Sequence, residues 1–560
     1  MRRAAPLLLV ALAACTVSTT GAPCASDLQC PTGQGCGVNG KCSVEALSCA
    51  CTEPGAVQCG GAGGQVVLRC DAASADAACL SWIPVTDCAT SSLLCSDGAC
   101  TCPAHAGATW YADAVSGSAS GATPRPTGVQ SPAACRFRSL NDALAAASAA
   151  GGTVVQAVGW SAATPGATVV FSEPGALVVG PGVTLGSDAP SGVSSRYAVT
   201  TAAALSTAFV TLGPGASLSG LEVRNAAATG PGVETSCRGA GDVAPVSLSD
   251  VSVSGAGGGS PAARFAAGIR VTGNCPANLA SVSVTGAAIG LLVDAAAAGV
   301  ESSAALSTFT AATVAGIEVD EGRLALTGGT VTGNAVGAAV GSAGTGAPAL
   351  SATGTTFSDN AGDAVLVERG TLLADACPFS GNGTHVHAQP VGSSTVNVTV
   401  QNSAGAARMT GATNSALRLL AMGSGSTLTL AGNEIVSNQA TQDYNVASGL
   451  RRGGGMVLTP PLPGASTVRS CTFAGNEYDQ VLVASSTGSL DLSGGTTCGA
   501  SSNSFACYGT GVGIYSNGAS VSAAWNHWTQ QPGAPSIDVA GTGVTGYDTS
   551  ACTPAAVTCP

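Results

Sequence analysis

Four short stretches decide the fold: Gly268-Ile269-Arg270-Val271, Gly290-Leu291-Leu292-Val293, Gly316-Ile317-Glu318-Val319 and Gly337-Ala338-Ala339-Val340. Successive glycines lie 22, 26 and 21 residues apart. In each stretch the second and fourth residues are apolar and the third varies, the alternation of a strand with one side in and one side out. A second phrase interlocks with the first: an apolar residue, two more, then Asn, at Val331–Asn334, Phe357–Asn360, Phe379–Asn382, Ile435–Asn438 and Phe473–Asn476. Asn tolerates the left-handed conformation and bonds its own backbone in turns. At the same turn of successive coils it can stack into a ladder. A period in the low twenties is too short for a propeller blade, and the Leu-x-x-Leu-x-Leu of a leucine-rich repeat is missing. The pattern predicts an all-β chain: a right-handed, single-stranded parallel β-helix, its coils of about three short strands stacked about 4.8 Å apart. Residues 151–530 would supply about 15 coils and a rod about 70 Å long.

The ends of such a rod expose unpaired backbone and need covers. Ser139 and Asp142 suggest a capping box, Leu140 to Ala150 is alanine-rich and helix-forming, and Gly151-Gly152 stops it. A strand-like alternation starts at Thr153. Near the other end, Trp525-Asn526-His527-Trp528 brings large aromatics into a chain that is only 4% aromatic, and reads as a C-terminal plug.

Composition agrees. The 560 residues include 78 glycines and only 9% charged residues, with a mean hydropathy of +0.35. A membrane-spanning helix needs roughly 18 consecutive apolar residues, and the longest clean run is Ala4 to Ala14. Disorder and coiled coil are excluded by too much apolar and too little charged content. The net charge is −12 and Lys41 is the single lysine, so no basic patch offers itself to nucleic acid.

The N-terminus reads as a secretory signal: Met1-Arg2-Arg3, a short apolar segment, then Leu12-Ala13-Ala14-Cys15. The cysteine at the cut resembles the lipobox of bacterial lipoproteins, which implies a diacylglycerol on Cys15 and stable anchoring by more than one lipid tail. Thr16 in place of Asp implies, by the same resemblance, the outer membrane or cell surface, with outer-membrane lipid as the anchor's partner.

Thirteen of the 23 cysteines fall between Cys24 and Cys102: Cys24, Cys30, Cys36, Cys42, Cys49, Cys51, Cys59, Cys70, Cys79, Cys88, Cys95, Cys100 and Cys102. In an exported chain this is a disulfide framework. Zinc would want Cys-x2-Cys pairs and histidine, so no metal is expected. Thirteen is odd, which suggests Cys135 as a further partner, and Cys552 and Cys559 as ties for the tail. Val66-Val67-Leu68 and Trp82-Ile83 look like strands, with Trp82 as a small core. The segment resembles cysteine-rich head modules of bacterial surface proteins, and its simplest role is a protease-resistant spacer. The chain then divides into a signal peptide (1–14), a lipidated N-terminus and linker (15–23), a cysteine-rich domain (24–107), the β-helix (108–530, cap helix and opening segment 108–151) and a tail (531–560).

Trp110-Tyr111-Ala112-Asp113, Arg136-Phe137-Arg138-Ser139-Leu140, Ala143-Leu144 and Gly151-Gly152-Thr153-Val154-Val155 together resemble the opening of pectin-lyase-like β-helix proteins. Gly182-Val183-Thr184-Leu185 is similar to their first-coil phrase. More narrowly, the chain resembles a bacterial β-helix family of unknown function. The resemblance spans residues 108 to 530 and implies the fold. It leaves function open, because such rods include lyases, hydrolases, epimerases and adhesins.

Enzymes of that superfamily use acidic calcium sites, clustered aspartates or a Gly-His-Gly segment. This sequence has no Gly-His-Gly, no Asn-Thr-Asp and no Asp-Asp pair. One constellation remains. Asp363 lies three residues after Asn360 and His385 three after Asn382, on neighbouring coils, and His387 shares a face with His385. With Val386 and Ala388 inward, both histidines should point outward, as a base with an orienting carboxylate, as half a metal site, or as solvated polar positions. Asp479, at the same offset after Asn476, has no histidine nearby. Arg270, Glu318 and His387 share an outward column, separated by intervening coils. The expectation is a non-catalytic cell-surface lipoprotein whose rod serves adhesion, glycan contact or envelope architecture, with surface glycan or another cell-surface protein as partner and without a cofactor. The alternative is a polysaccharide lyase or hydrolase with a divergent site on the outer face.

Overall fold

The computed structural model describes residues 21–552 except 22, 26–28, 31–33, 37–39, 44–50, 52, 62–63, 73–79, 92, 103–108, 118–131, 151–152, 160–166, 189–195, 238, 240, 256–263, 295–299, 509–510, 529–537 and 548–551. Cys15, Cys49, Cys79, Cys559 and Gly151-Gly152 lie outside the described residues. These form two compact units, residues 21–102 with 132–136, and residues 109–117 with 137–552.

The larger unit is a parallel β-helix. Its three sheets contain 14, 15 and 13 strands among the described residues, and almost every neighbour in a sheet is the strand one coil away. The chain visits the third sheet, the first and the second in turn, as in Arg323–Thr327, Thr330–Thr332 and Val336–Val340. Parallel register places like residues on like. In the first sheet Val284, Phe309, Val331, Phe357, Phe379 and Met409 follow one another inward, all 1% exposed or less. In the second, Ile269, Leu291, Ile317, Ala338, Val365 and Val386 do the same. Hydrophobic burial thus runs along one continuous core, at roughly 25 cal/mol per Å² of apolar surface removed from water. Some rings stack directly: Phe357 on Phe379 at 5.2 Å, Phe473 on Phe505 at 5.3 Å.

Both ends are covered. Trp528 stacks on Phe505 at 4.8 Å in the last strand of the first sheet, and the Cys498–Cys552 disulfide clips the chain that follows. At the start, the helix Leu140–Ala150 packs on the first strands of all three sheets and buries Leu140, Ala143, Leu144 and Ala147. The Asp142 N–H donates to Ser139 Oγ at 3.3 Å, but the reciprocal group is Glu173 in place of Asp142. Glu173 is 3% exposed, accepts from the Leu140 N–H at 2.8 Å and Ser139 Oγ at 2.7 Å, and so sits on the positive end of the helix. The first coil and its lid are joined by that one carboxylate.

In the smaller unit an antiparallel sheet, Val57–Gly60, Val66–Ala72 and Leu80–Asp87, carries buried Cys51, Cys70 and Leu80 with Trp82 against them. Its disulfides among the described residues are Cys24–Cys36, Cys30–Cys42, Cys51–Cys70, Cys59–Cys95, Cys88–Cys100 and Cys102–Cys135. The β-helix adds Cys237–Cys275 and Cys498–Cys552, and Cys507 is disulfide-bonded too. So many bonds need an oxidising compartment, and the protein is exported. Cys377 and Cys471 remain as thiols, buried and pushed up to about 11 by burial, hence unreactive.

Replacing Glu173 with Ala should lower unfolding free energy by about 2 kcal/mol through lost capping and orphaned N–H groups. Urea titration followed by circular dichroism measures it; an unshifted midpoint would show that the cap does not depend on Glu173.

Candidate functional site

Between the first and second sheets, five coils turn at the repeated Asn: Asn334, Asn360, Asn382, Asn438 and Asn476. Asn334 Nδ2 donates to Asn360 Oδ1 at 3.1 Å, and Asn360 Nδ2 to Asn382 Oδ1 at 2.8 Å. All three are 1% exposed or less. The next coil breaks the pattern. Phe379 pairs with Met409 and Ser380 with Thr410, which puts Ala412 where an Asn belongs. His385 fills the gap: Asn382 Nδ2 meets its Nδ1 at 3.2 Å, and its Nε2 meets Asn438 Oδ1 at 3.0 Å. Because the amide nitrogen can only donate, Nδ1 accepts and the proton belongs on Nε2 of a neutral ring. Burial lowers the His385 pKa to about 3, against the opposing pull of the Asn438 bond. The relay continues from Asn438 Nδ2 to Asn476 Oδ1 at 2.8 Å and from Asn476 Nδ2 to Gln480 Oε1 at 2.6 Å. There it ends, because Tyr508 holds the equivalent place one coil on.

Two glycines of the repeat, Gly316 and Gly337, belong to this relay. Register aligns Gly316, Gly337, Ala364, His385, Ala416, Gly455 and Gln480 in one column. A Cβ at Gly316 would lie 2.7 Å from the Asn334 amide nitrogen, and at Gly337 3.0 Å from that of Asn360. A small residue therefore precedes each coil that supplies an Asn. Within the relay, His385 and Gln480 enter where the next coil has Ala412 or Tyr508 in place of Asn.

This corrects the placement of His385. Its side chain is fully buried, and Asp363 pairs in register with Thr384, so His385 stands opposite Ala364 and away from Asp363. Strand alternation fails at this position because it is the bend between turn and strand, and Ala364 and Val365 are both buried. The carboxylate instead meets His387, at 2.8 Å from Nδ1. His387 sits in an outward column of the second sheet that contains Arg270 and Glu318, with Leu292, Ala339 and Leu366 between them. Its side chain is only 8% exposed, and its Nε2 is inaccessible and has no partner.

Carboxylates gather on the same face. Ser342 Oγ bonds both Glu318 and Asp320, and the Ala343 N–H donates to Asp320 at 2.8 Å. Arg369 fastens that loop through the carbonyls of Gly341, Ala343 and Gly344. Burial raises the pKa of Glu318, and burial raises that of Glu368 despite His387 and Arg369 nearby. Sequence reasoning had singled out Glu318 only as a column position and missed Asp320 and Glu368, which sit at no recognisable spacing from the histidines. Further along, Asp479 is 1% exposed at its side chain and takes two bonds from Arg451, at 2.9 and 3.0 Å. The Arg451 guanidinium lies 4.1 Å from the Tyr515 ring centre. Burial raises the Asp479 pKa against the pull of Arg451. Among the described residues, the cysteines at 24, 30 and 36 form the one group spaced to hold a metal, and their sulfurs are in disulfides.

No protein-family model and no curated protein matches this chain. Among solved structures, the A-module of the mannuronan C-5 epimerase AlgE4 of Azotobacter vinelandii aligns with 74% of this chain and 95% of its own, at 12% identity and a TM-score of 0.29. The parallel β-helix rests on the three sheets themselves.

The relay makes stability depend on pH. Unfolded, His385 takes up a proton near its ordinary 6.5; folded, only near 3. The unfolded chain therefore binds more protons between those values, and stability falls as pH drops through that window. His385→Gln, which keeps one acceptor and one donor, should hold stability at pH 7 within about 1 kcal/mol and flatten the slope from pH 7 to 5. His385→Ala should cost about 3 kcal/mol at pH 7. Urea titrations at stepped pH report both; equal slopes in wild type and the Gln variant would contradict the neutral bridging imidazole.

Proposed function

We propose that this is a lipid-anchored protein of a bacterial outer membrane or cell surface, related to the pectin-lyase-like β-helices, whose rod contacts surface glycan or another cell-surface protein without catalysis. The anchor rests on the lipobox-like Leu12–Cys15, which lies outside the described residues. One observation carries the non-catalytic reading: the outward arginines at 224, 270 and 451 and His387 are each paired with a carboxylate. Arg270 pairs with Asp294 at 2.9 Å, Arg224 with Glu222 at 2.7 Å, Arg451 with Asp479, Asp363 with His387, and Ser342 ties down Glu318 and Asp320. A general acid or base must reach a substrate proton, and these groups already hold partners. Stretches of the first and third sheets present rows of small side chains. Ser283, Thr308, Thr330 and Thr356 align outward on the first, and Ser247, Asn278, Ser303, Ala325 and Ser351 on the third.

A lyase or hydrolase is the second reading, favoured by His387, whose Nδ1 is held by Asp363 while its Nε2 has no partner. Incubation with acidic and neutral polysaccharides, followed by chromatography of the products, separates the two. The non-catalytic rod leaves chain lengths unchanged and forms no unsaturated ends. Shortened or unsaturated products that disappear in His387→Ala would establish the enzyme instead. For the anchor, Cys15→Ala should move the protein from the membrane fraction to the soluble one; retention in membranes would refute lipidation at Cys15.

A further inference from the structure

We propose that the groove on either side of Tyr478 binds a neutral oligosaccharide; this rests on the glycan-contact reading above and gives it a place and a chemistry. Two concavities meet at this ring. One, of about 740 Å³, is bounded by Gln439, Thr441 and Glu477; the other, of about 480 Å³, by Asp443, Ser448 and Gly511; Arg452 and Tyr478 line both. Each falls within the roughly 300–1,000 Å³ typical of small-ligand sites.

The groove is built rather than incidental. The coil that follows Asn438 carries an extra antiparallel hairpin, Tyr444–Val446 with Gly449–Arg451. It is pinned to the second sheet by Tyr444 against Val457, Leu482 and Tyr515, and by the Ala447 N–H donating to Asn517 at 2.7 Å. Tyr478 holds a left-handed φ of 59°, a conformation unfavourable for a non-glycine residue. Close backbone approach fixes it there: a Cβ on Gly511 would come within 2.0 Å of the Tyr478 carbonyl carbon, and one on Gly454 within 2.6 Å of the Glu477 oxygen. The half-buried ring is thereby presented to both concavities.

The lining chooses the ligand. An aromatic face suits the C–H face of a sugar ring. The amide of Gln439, the hydroxyl of Thr441 and the carboxylate of Glu477 offer donors and acceptors to sugar hydroxyls. Neither arginine is available for an acidic sugar. Arg452 is paired with Asp443 at 2.5 Å and lies over the Tyr478 ring at 5.4 Å, and Arg451 is held by Asp479. Glu477 adds a carboxylate, so a uronate or phosphate would face net repulsion.

Isothermal titration of the full chain in detergent tests this, with cellohexaose, laminarihexaose, mannohexaose and chitohexaose as neutral probes and oligogalacturonate of equal length as the acidic one. At least one neutral probe should bind, with oligogalacturonate about tenfold weaker or more. Tyr478→Asn keeps a residue that tolerates the left-handed turn and should weaken the neutral probe by about tenfold or more; Tyr478→Phe should stay within about threefold. Matching melting curves show that the variants fold. Unchanged binding in Tyr478→Asn, or tighter binding of oligogalacturonate, overturns the groove and leaves glycan contact standing. Failure of the wild type to bind any of these glycans overturns both.

Discussion

Seven side chains in the wall of the rod pass one hydrogen bond from coil to coil, from Asn334 through Asn360, Asn382, His385, Asn438 and Asn476 to Gln480. Every member lies where water does not reach, so an unmet donor or acceptor would carry its full desolvation cost. That requirement propagates. It holds each turn over the last, keeps the neighbouring column small at Gly316, Gly337 and Ala364, and fixes His385 as a neutral ring. The backbone ladders alone set the spacing of the coils. The relay pins one turn of the coils between Asn334 and Gln480.

What remains for function is therefore outside, on strands whose positions the interior dictates. Stretches of the first and third sheets are rows of hydroxyl and methyl groups, and the second sheet carries Glu318, Asp320, Asp363 and His387 together. There the acids and arginines stabilise the surface by pairing across coils, as Arg270 and Asp294 do. Departures from the repeat are where a site can form. The hairpin at Tyr444–Val446 and Gly449–Arg451 is one: it interrupts the coil after Asn438, hides Tyr515 and Asp479 beneath it and leaves Tyr478 at the edge. The cysteine-rich unit is a different solution to stability, in which disulfides replace most of an apolar core.

The fold was legible because its signals repeat. Gly-Ile-Arg-Val and Phe-x-x-Asn return often enough to reveal strand, turn and period, and the Leu140–Ala150 cap announces itself by alanine content. The histidines were read only halfway. His387 faces outward as alternation requires, but His385 is inside, and its role depends on an Asn that is missing one coil later, at Ala412. No local pattern encodes an absence. Nor could the sequence show that Glu173 would cap a helix 33 residues earlier, or that Cys237, Cys275 and Cys498 would pair, since none belongs to a cluster. Asp320 and Glu368 come together through loop geometry that spacing does not carry.

The relay can be tested by moving its missing part back into place. In wild type, Asn at position 412 would crowd His385; in His385→Ala it finds the room that the imidazole vacated. A double-mutant cycle of Ala412→Asn and His385→Ala, read by urea unfolding at pH 7, measures this directly. The account predicts that Ala412→Asn destabilises the wild type but restores about 2 kcal/mol in the His385→Ala background, a coupling typical of groups that share one network. Additive losses would show that His385 does not stand in for the absent Asn, and that the relay does not hold the coils in register.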